Sequence, residues 1–347
     1  MKVVDLRYEH LTNPIGVDET APRLSWKLSS ETPNTLQAAY RIQAAESPTA
    51  LQAGSCLWDS GKVESDASIL VPYQGPALQS RQHVYWRVKA WDNHSQASAW
   101  SDPAWFEMAL LKESDLQAAW IEPEEDFDVS EQQPASYTRK EFTLSAPIRK
   151  ARLYITSLGF YQAYLNGKRV GDYCFAPTRT NYKHILHYQT YDVKELLTEG
   201  ENTIGVLLGD GWLRNIGGFT AVRNIHGERL ALLAQLEVEL ENGEKHVICS
   251  DGSWTATQNG PMRTNDAKEG EDYDARLEMP GWDQPHFDAS AWHAVRVTKG
   301  NGAKVCASNS VPMTEHERFT PEVLTTPDGS IVLDFGQNIA GYISFKV

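Results

Sequence analysis

Hydrophobic and polar residues alternate at period two along much of the chain. In His83-Val84-Tyr85-Trp86-Arg87-Val88-Lys89-Ala90, one face carries Val84, Trp86, Val88 and Ala90, and the other carries Tyr85, Arg87 and Lys89. Successive side chains of an extended backbone point to opposite sides, so this spacing predicts a strand with one buried face. Residues 230–240 repeat the pattern. Leu230, Leu232, Ala234, Leu236, Val238 and Leu240 share one face, and Gln235, Glu237 and Glu239 share the other. Glutamates in mid-pattern imply that this second face meets water. Turn signals punctuate the runs at Asn166-Gly167, Asn242-Gly243 and Asp328-Gly329, pairs that tolerate the positive φ of a two-residue hairpin turn. Helix signals are sparse. One short turn is predicted over 192–197, with Asp192 as N-cap and Gly200 ending it. The expected fold class is all-β.

A chain of 347 residues exceeds one ordinary sandwich, and three segments are predicted. The first, 1–111, ends on Trp100-Ser101-Asp102-Pro103-Ala104-Trp105-Phe106. A polar stretch over 122–134 follows, rich in acids. They lack the alternating positions and central glycine of an EF-hand loop, so a loop or hairpin arm of solvated charge is expected there. The second segment covers 112–312. The third, 313–347, holds strand patterns near 331–334 and 342–347 and stops within Ser344-Phe345-Lys346-Val347. A sheet cut there leaves backbone groups unpaired, so truncation is expected.

Composition narrows the partners. Eleven tryptophans, 14 tyrosines, 24 glycines and 17 prolines suit short strands joined by tight turns. Lys and Arg total 32 against 46 Asp and Glu, a net charge of −14, and no basic run offers a face to phosphates. Nucleic acid and anionic membrane are therefore disfavoured, and a neutral partner is favoured. Asp5, Arg7, Glu9 and His10 interrupt any leader-like apolar run, and no stretch of about 18 apolar residues occurs, so the cytoplasm is the simplest compartment. Cys56, Cys174, Cys249 and Cys306 lie far apart and are expected to be reduced and mostly buried. His184 and His187 have no evident third ligand, and neither a Gly-x-Ser-x-Gly elbow nor a phosphate-binding glycine loop is present. No metal site or cofactor is predicted from these residues.

The first segment resembles a fibronectin type III or immunoglobulin-like sandwich, with Trp26 on an early strand and Leu78 ahead of the 83–90 strand. Val84 replaces that fold's usual tyrosine, so its tyrosine corner is absent or rearranged. The second segment carries an ordered series. Tyr164-Leu165-Asn166-Gly167-Lys168-Arg169-Val170-Gly171, Ala176-Pro177-Thr178 and His187-Tyr188-Gln189-Thr190-Tyr191-Asp192-Val193 come first. Gly209-Asp210-Gly211-Trp212, Asp251-Gly252-Ser253-Trp254, Gly270-Glu271-Asp272-Tyr273-Asp274-Ala275-Arg276, Gly281-Trp282 and Trp292 follow. This set resembles the N-terminal domain of bacterial α-L-rhamnosidases of glycoside hydrolase family 78. Val332-Leu333-Asp334-Phe335-Gly336-Gln337-Asn338 resembles the start of their next, concanavalin-like β-domain.

The resemblance implies a jelly-roll-like second sandwich and an inverting hydrolase of terminal α-L-rhamnose in rhamnose-containing glycosides. Its acid and base, roughly 6.5–9.5 Å apart, would lie in a C-terminal (α/α)6 barrel beyond this chain. The chain itself is expected to hold no catalytic residue, with the missing barrel as its partner. Two competing readings are a stand-alone L-rhamnose-binding module and a surface or adhesion protein built of sandwiches. Some relatives bind rhamnose through calcium at an Asp-Asn pair near the place of Asn181-Tyr182. Here Thr180-Asn181-Tyr182 supplies no carboxylate, so calcium is not expected. Asp210 and Trp212 suit a sugar site, as hydroxyl acceptor and stacking ring, and equally suit a tight turn with a core tryptophan. Glu271, Asp272, Asp274 and Arg276 suit a sugar pocket, internal pairing or a domain interface. If the segment is extended, Asp272, Asp274 and Arg276 share one side.

Overall fold

The structure is a computed structural model that describes residues 1–216 and 222–344. It is all-β, and its longer unit, Met1–Gly171 with Phe175–Val311, contains two sandwiches.

In the first sandwich, a sheet of Lys2–Tyr8, Arg23–Ser29 and Val71–Pro72 packs on a larger one. The larger sheet runs Ile15–Val17, Ala104–Met108, His83–Asp92, Gln37–Ala45 and Trp58–Asp59, with Val63–Glu64 also paired to Gln37–Ala45. Alternation explains the arrangement. His83–Asp92 is half-buried and buried in strict turn over ten residues, and Val84, Trp86, Val88 and Ala90 enter the core. Leu24, Trp26, Ile42, Phe106 and Met108 complete that core, and Trp26 Nε1 donates to Gln37 Oε1 at 2.9 Å. Val84, where a tyrosine corner would stand, is a fully buried core residue.

In the second sandwich, one sheet runs Arg296–Thr298, Trp120–Glu122, Ala231–Leu240, Ile148–Leu158, Ile185–Asp192 and Lys304–Ala307, with Lys245–Cys249 added beside Ala231–Leu240. The facing sheet runs Lys168–Arg169, Phe160–Leu165, Gly200–Gly209, Ser136–Leu144, Thr255–Thr257 and His293–Ala294. All pairings are antiparallel except Ile185–Asp192 with Lys304–Ala307.

The two sandwiches meet through polar contacts. Glu107, on the last strand of the first, is 1% exposed and is gripped by Arg152 at 2.8 and 2.9 Å and by Lys150 at 3.1 Å, both from Ile148–Leu158. Arg81 binds Glu237 at 2.5 and 2.6 Å and Asp115 at 3.0 Å. Leu110 N donates to the Tyr188 hydroxyl at 3.1 Å, and Ala307 N to Asp18 Oδ2 at 3.0 Å.

Several expectations are corrected. The face with Gln235 and Glu237 does not simply meet water: Gln235 is fully buried, and Glu237 is held by Arg81 of the first sandwich. Period two tells which residues share a face, but not what covers it. Only Asn166-Gly167 has positive φ at both positions, 52° and 79°. At Asn242-Gly243 and Asp328-Gly329 only the glycine does, because Leu240 N bonds Glu244 O and Thr326 N bonds Ser330 O across three-residue loops. The turn predicted over 192–197 is a 3-10 turn at Lys194–Leu196, and Gly200 begins the next strand. The four thiols are free and half-buried rather than mostly buried.

The second unit comprises Asp172–Cys174 and Pro312–Val347. Its described part contains one hairpin, Glu322–Thr325 with Ile331–Asp334, whose Val323, Leu324, Ile331, Val332 and Leu333 are all exposed. The strand predicted at the chain end falls partly on Phe345-Lys346-Val347, outside the described residues.

Burial alone would raise the Glu107 carboxyl, but His83, Arg152 and Lys150 outweigh it and hold its pKa at about 2. A depressed carboxylate contributes stability that is complete above its ordinary value of 4.5 and is lost as pH falls toward about 2. Glu107→Gln is therefore expected to cost about 3 kcal/mol at neutral pH and to flatten the stability profile in that acid window. Denaturant unfolding of both proteins from pH 2 to pH 7 measures this, and overlapping profiles would remove Glu107 from the joint.

Candidate functional site

Gly209-Asp210-Gly211-Trp212 lies where the strand Gly200–Gly209 gives way to a single helical turn, Gly211–Arg214. Gly211 has φ +52°, and a Cβ there would stand 2.6 Å from Phe160 N, so glycine alone fits the bend. The bend turns two side chains in opposite senses. Asp210 is buried at 2% exposure; its Oδ1 accepts from Nε of Arg214, one helical turn on, at 2.8 Å and lies 2.5 Å from Nη2. Trp212 is half-buried, edge-on to Phe160 at 5.7 Å, with the Arg179 guanidinium 5.5 Å from its ring centre. Phe160 also touches the exposed Phe175 at 5.3 Å, so this end of the sandwich presents an aromatic patch with one arginine beside it.

Arg214 reaches further, to Glu124 at 2.8 Å. Glu124 belongs to the acidic stretch expected to be solvated, yet it is 4% exposed and its Oε2 accepts from Leu230 N at 3.1 Å. The expectation fails here because the matching cation lies 90 positions away in sequence. Asp126 and Asp128 do remain exposed. Phe127 sits beneath both Arg214 and Arg229, at 5.5 and 5.1 Å. Next to this cluster, buried Asp266 accepts from Ile216 N at 2.9 Å and Lys268 N at 2.8 Å, and lies 3.4 Å from Arg223. Two buried carboxylates thus share the Arg214 charge. Burial pushes the pKa of Glu124 up, and likewise that of Asp210, while Arg214 opposes the rise in both.

Asn181 is exposed and builds a turn: its carbonyl accepts from His184 N at 2.8 Å and Ile185 N at 3.0 Å. Tyr182 is 1% exposed and stacks on His226 at 5.4 Å, so the two neighbours lie in opposite environments. Among the described residues no group of three His, Cys, Asp or Glu side chains is placed to hold a metal ion.

Glu271 and Asp272 occupy an exposed strand, Gly270–Tyr273, which among the described residues pairs with Met262–Asp266 alone. The segment is not extended as far as Arg276. Asp274 caps a 3-10 turn at Ala275–Leu277 by accepting from Arg276 N at 3.1 Å, and the same turn brings the Arg276 guanidinium onto Asp274 at 2.6 Å. Asp272 exchanges hydrogen bonds with Thr264 instead. The candidates therefore fall into three places: a buried ion cluster with an aromatic patch outside it, a turn at Asn181, and an exposed hairpin whose other strand adjoins the cluster where Asn265 Oδ1 accepts from Asp210 N at 2.5 Å. Asp210 is buried and paired with Arg214. Sequence reasoning missed Arg214, Glu124 and Asp266. The four-residue spacing of Asp210 and Arg214 was a legible signal, whereas Glu124 and Asp266 had none.

An immunoglobulin-like sandwich followed by a second β-sandwich, with the glycine and aspartate motifs at turns and buried pairs, defines a class of tandem β-sandwich proteins. Residues 3–112 match the Rha78A-like N-terminal immunoglobulin domain, and residues 146–317 match the α-L-rhamnosidase N-terminal domain. Residues 146–317 thus belong to the α-L-rhamnosidase N-terminal domain family and residues 3–112 to the Rha78A-like N-terminal immunoglobulin domain family. It is 35% identical to an α-L-rhamnosidase of Alteromonas sp. (strain LOR) and 38% identical to one of Formosa agariphila. Those alignments take in 98% and 94% of this chain but 38% and 34% of the relatives, so the chain spans little more than a third of their length. The crystal structure of an Aspergillus terreus α-L-rhamnosidase superposes with TM-score 0.87 at 33% identity over 97% of this chain and 39% of that one. A Streptomyces avermitilis α-L-rhamnosidase complexed with L-rhamnose gives 0.90 at 28% identity, over 97% of this chain and 49% of that one.

Replacing Arg214 by Met leaves Asp210 and Glu124 facing each other without a cation, and a loss of about 3–5 kcal/mol is expected. Glu124→Gln keeps an acceptor for Leu230 N and removes one of the two competing charges, so a smaller loss is expected. The raised carboxyls contribute stability that is present below their ordinary pKa and is lost as pH rises through the folded values, opposite in sign to Glu107. Urea midpoints of both variants test the order, and Glu124→Gln proving the worse variant would refute it.

Proposed function

We propose that this chain serves as the accessory N-terminal β-region of an α-L-rhamnosidase, an inverting enzyme that releases terminal α-L-rhamnose from glycosides. The likeness over nearly the whole chain to proteins of that name carries the reading. The chain's own chemistry supports an accessory role. Its buried acids Asp210 and Glu124 are both bound to one guanidinium, and Asp274 is paired with Arg276. An inverting glycosidase needs a protonated acid and an ionised base, separated by room for a water. In this reading the pair is supplied by an (α/α)6 barrel, and the exposed apolar hairpin Glu322–Thr325 with Ile331–Asp334 belongs to the next β-domain.

A second reading, an L-rhamnose-binding module, is favoured by one observation: the aromatic patch of Phe160, Phe175 and Trp212 beside Arg179. Apolar sugar faces pack on such rings. Titration with L-rhamnose, with and without calcium, tests it; under this reading Trp212→Ala abolishes a saturable signal.

Hydrolysis of p-nitrophenyl α-L-rhamnoside by this chain and by the full product of its gene tests the main proposal. Activity is expected in the full product and none in the 347-residue chain. Turnover by the chain alone, abolished by a single substitution at Glu271 or Asp272, would end the accessory reading.

A further inference from the structure

Between the two sandwiches, beside the Glu107 contact, runs a cleft of two connected lobes of about 290 and 460 Å³ that share Lys150, Arg152 and Glu239. Six cationic side chains stand in its walls: Arg81, Arg149, Lys150, Arg152, Lys194 and Lys245. Three carboxylates line it, Asp192, Glu237 and Glu239, and Glu107 and Asp115 are paired with its cations from behind. The cations thus exceed the carboxylates by one, in a chain of net charge −14. Four of the cations are already matched: Arg81 to Glu237 and Asp115, Arg149 to Glu239, Lys150 to Glu107, and Arg152 to Glu107 and Asp192. They hold the joint together. Lys194 in the smaller lobe and Lys245 in the larger make no ion pair among the described residues. Lys245 stands opposite Glu239 across the sheet, but Glu239 is taken by Arg149 at 3.0 Å. Tyr154, Val238 and Val247 give the larger lobe an apolar wall.

We propose that this cleft binds a small oxyanion-bearing ligand of about monosaccharide size, whose carboxylate, sulfate or phosphate group is held by Lys194 or Lys245 beside Arg152. Lysine heads on flexible stems suit a single point charge. The low-dielectric walls of a cleft strengthen that attraction relative to open surface. The apolar wall takes the ring that carries the anion. Such a ligand stabilises the folded chain by mass action. This inference stands apart from the proposed enzymatic role, because neither Lys194 nor Lys245 belongs to the buried ion cluster or the aromatic patch.

The test is thermal melting of the 347-residue chain titrated with sodium glucuronate, inorganic phosphate, sodium chloride at matched ionic strength, and neutral L-rhamnose. A saturable rise in Tm of about 2–4 °C is expected with an oxyanion and none with chloride or L-rhamnose. A rise with glucuronate alone identifies a sugar carboxylate as the ligand group; equal rises with phosphate identify a general oxyanion site. The double variant Lys194→Ala/Lys245→Ala should keep the ligand-free Tm and weaken binding at least about tenfold. The proposal is overturned if no oxyanion raises Tm up to about 50 mM. It is also overturned if chloride matches the oxyanions or if the double variant responds like the parent.

Discussion

The pairing of Arg152 with Glu107 is the contact on which the longer unit depends. Arg152 lies on Ile148–Leu158, the strand flanked by both Ile185–Asp192 and Ala231–Leu240 in the second sandwich. Glu107 lies on Ala104–Met108, which pairs with both His83–Asp92 and Ile15–Val17 in the first. One charged contact therefore ties an inner strand of one sheet to an inner strand of another. Neither sandwich can rotate against the other without exposing an unmatched, buried carboxylate. The rest of the joint, from Arg81 with Glu237 to Asp18 with Ala307 N, lies along the same boundary.

A polar joint has a consequence for the surface around it. Cations gathered to match Glu107, Glu237 and Glu239 exceed the carboxylates in the cleft walls. A cleft rich in cations thus lies along the joint. The buried cluster around Arg214 shows the opposite imbalance, with two carboxylates on one guanidinium. Its place at the end of the strand Gly200–Gly209 makes it a clamp on the acidic stretch and on the bend that carries Trp212. The clamp holds the aromatic patch outward while removing its own acids from solvent. Asp210 and Glu124 are thereby engaged in ion pairs within the chain.

Much was determined by the sequence alone. The period-two runs located strands and their buried faces, because side-chain alternation is a local property of extended backbone. Asn166-Gly167 marked its hairpin, because positive φ at two positions is a local demand. The ordered motifs pointed to the family, and the structure explains their spacing. Gly211 fits a bend closed by Phe160, Trp254 is buried with Nε1 donating to Cys249 O at 2.9 Å, and Trp282 packs on Tyr137 at 5.1 Å. Only tertiary structure decided what covers each face and which charges meet. Glu124 and Arg214 are 90 residues apart and Arg81 and Glu237 are 156 apart, so no local pattern could separate a solvated glutamate from a buried one. Periodicity tells a side chain which way to point; the partner it finds there depends on how distant strands are brought together.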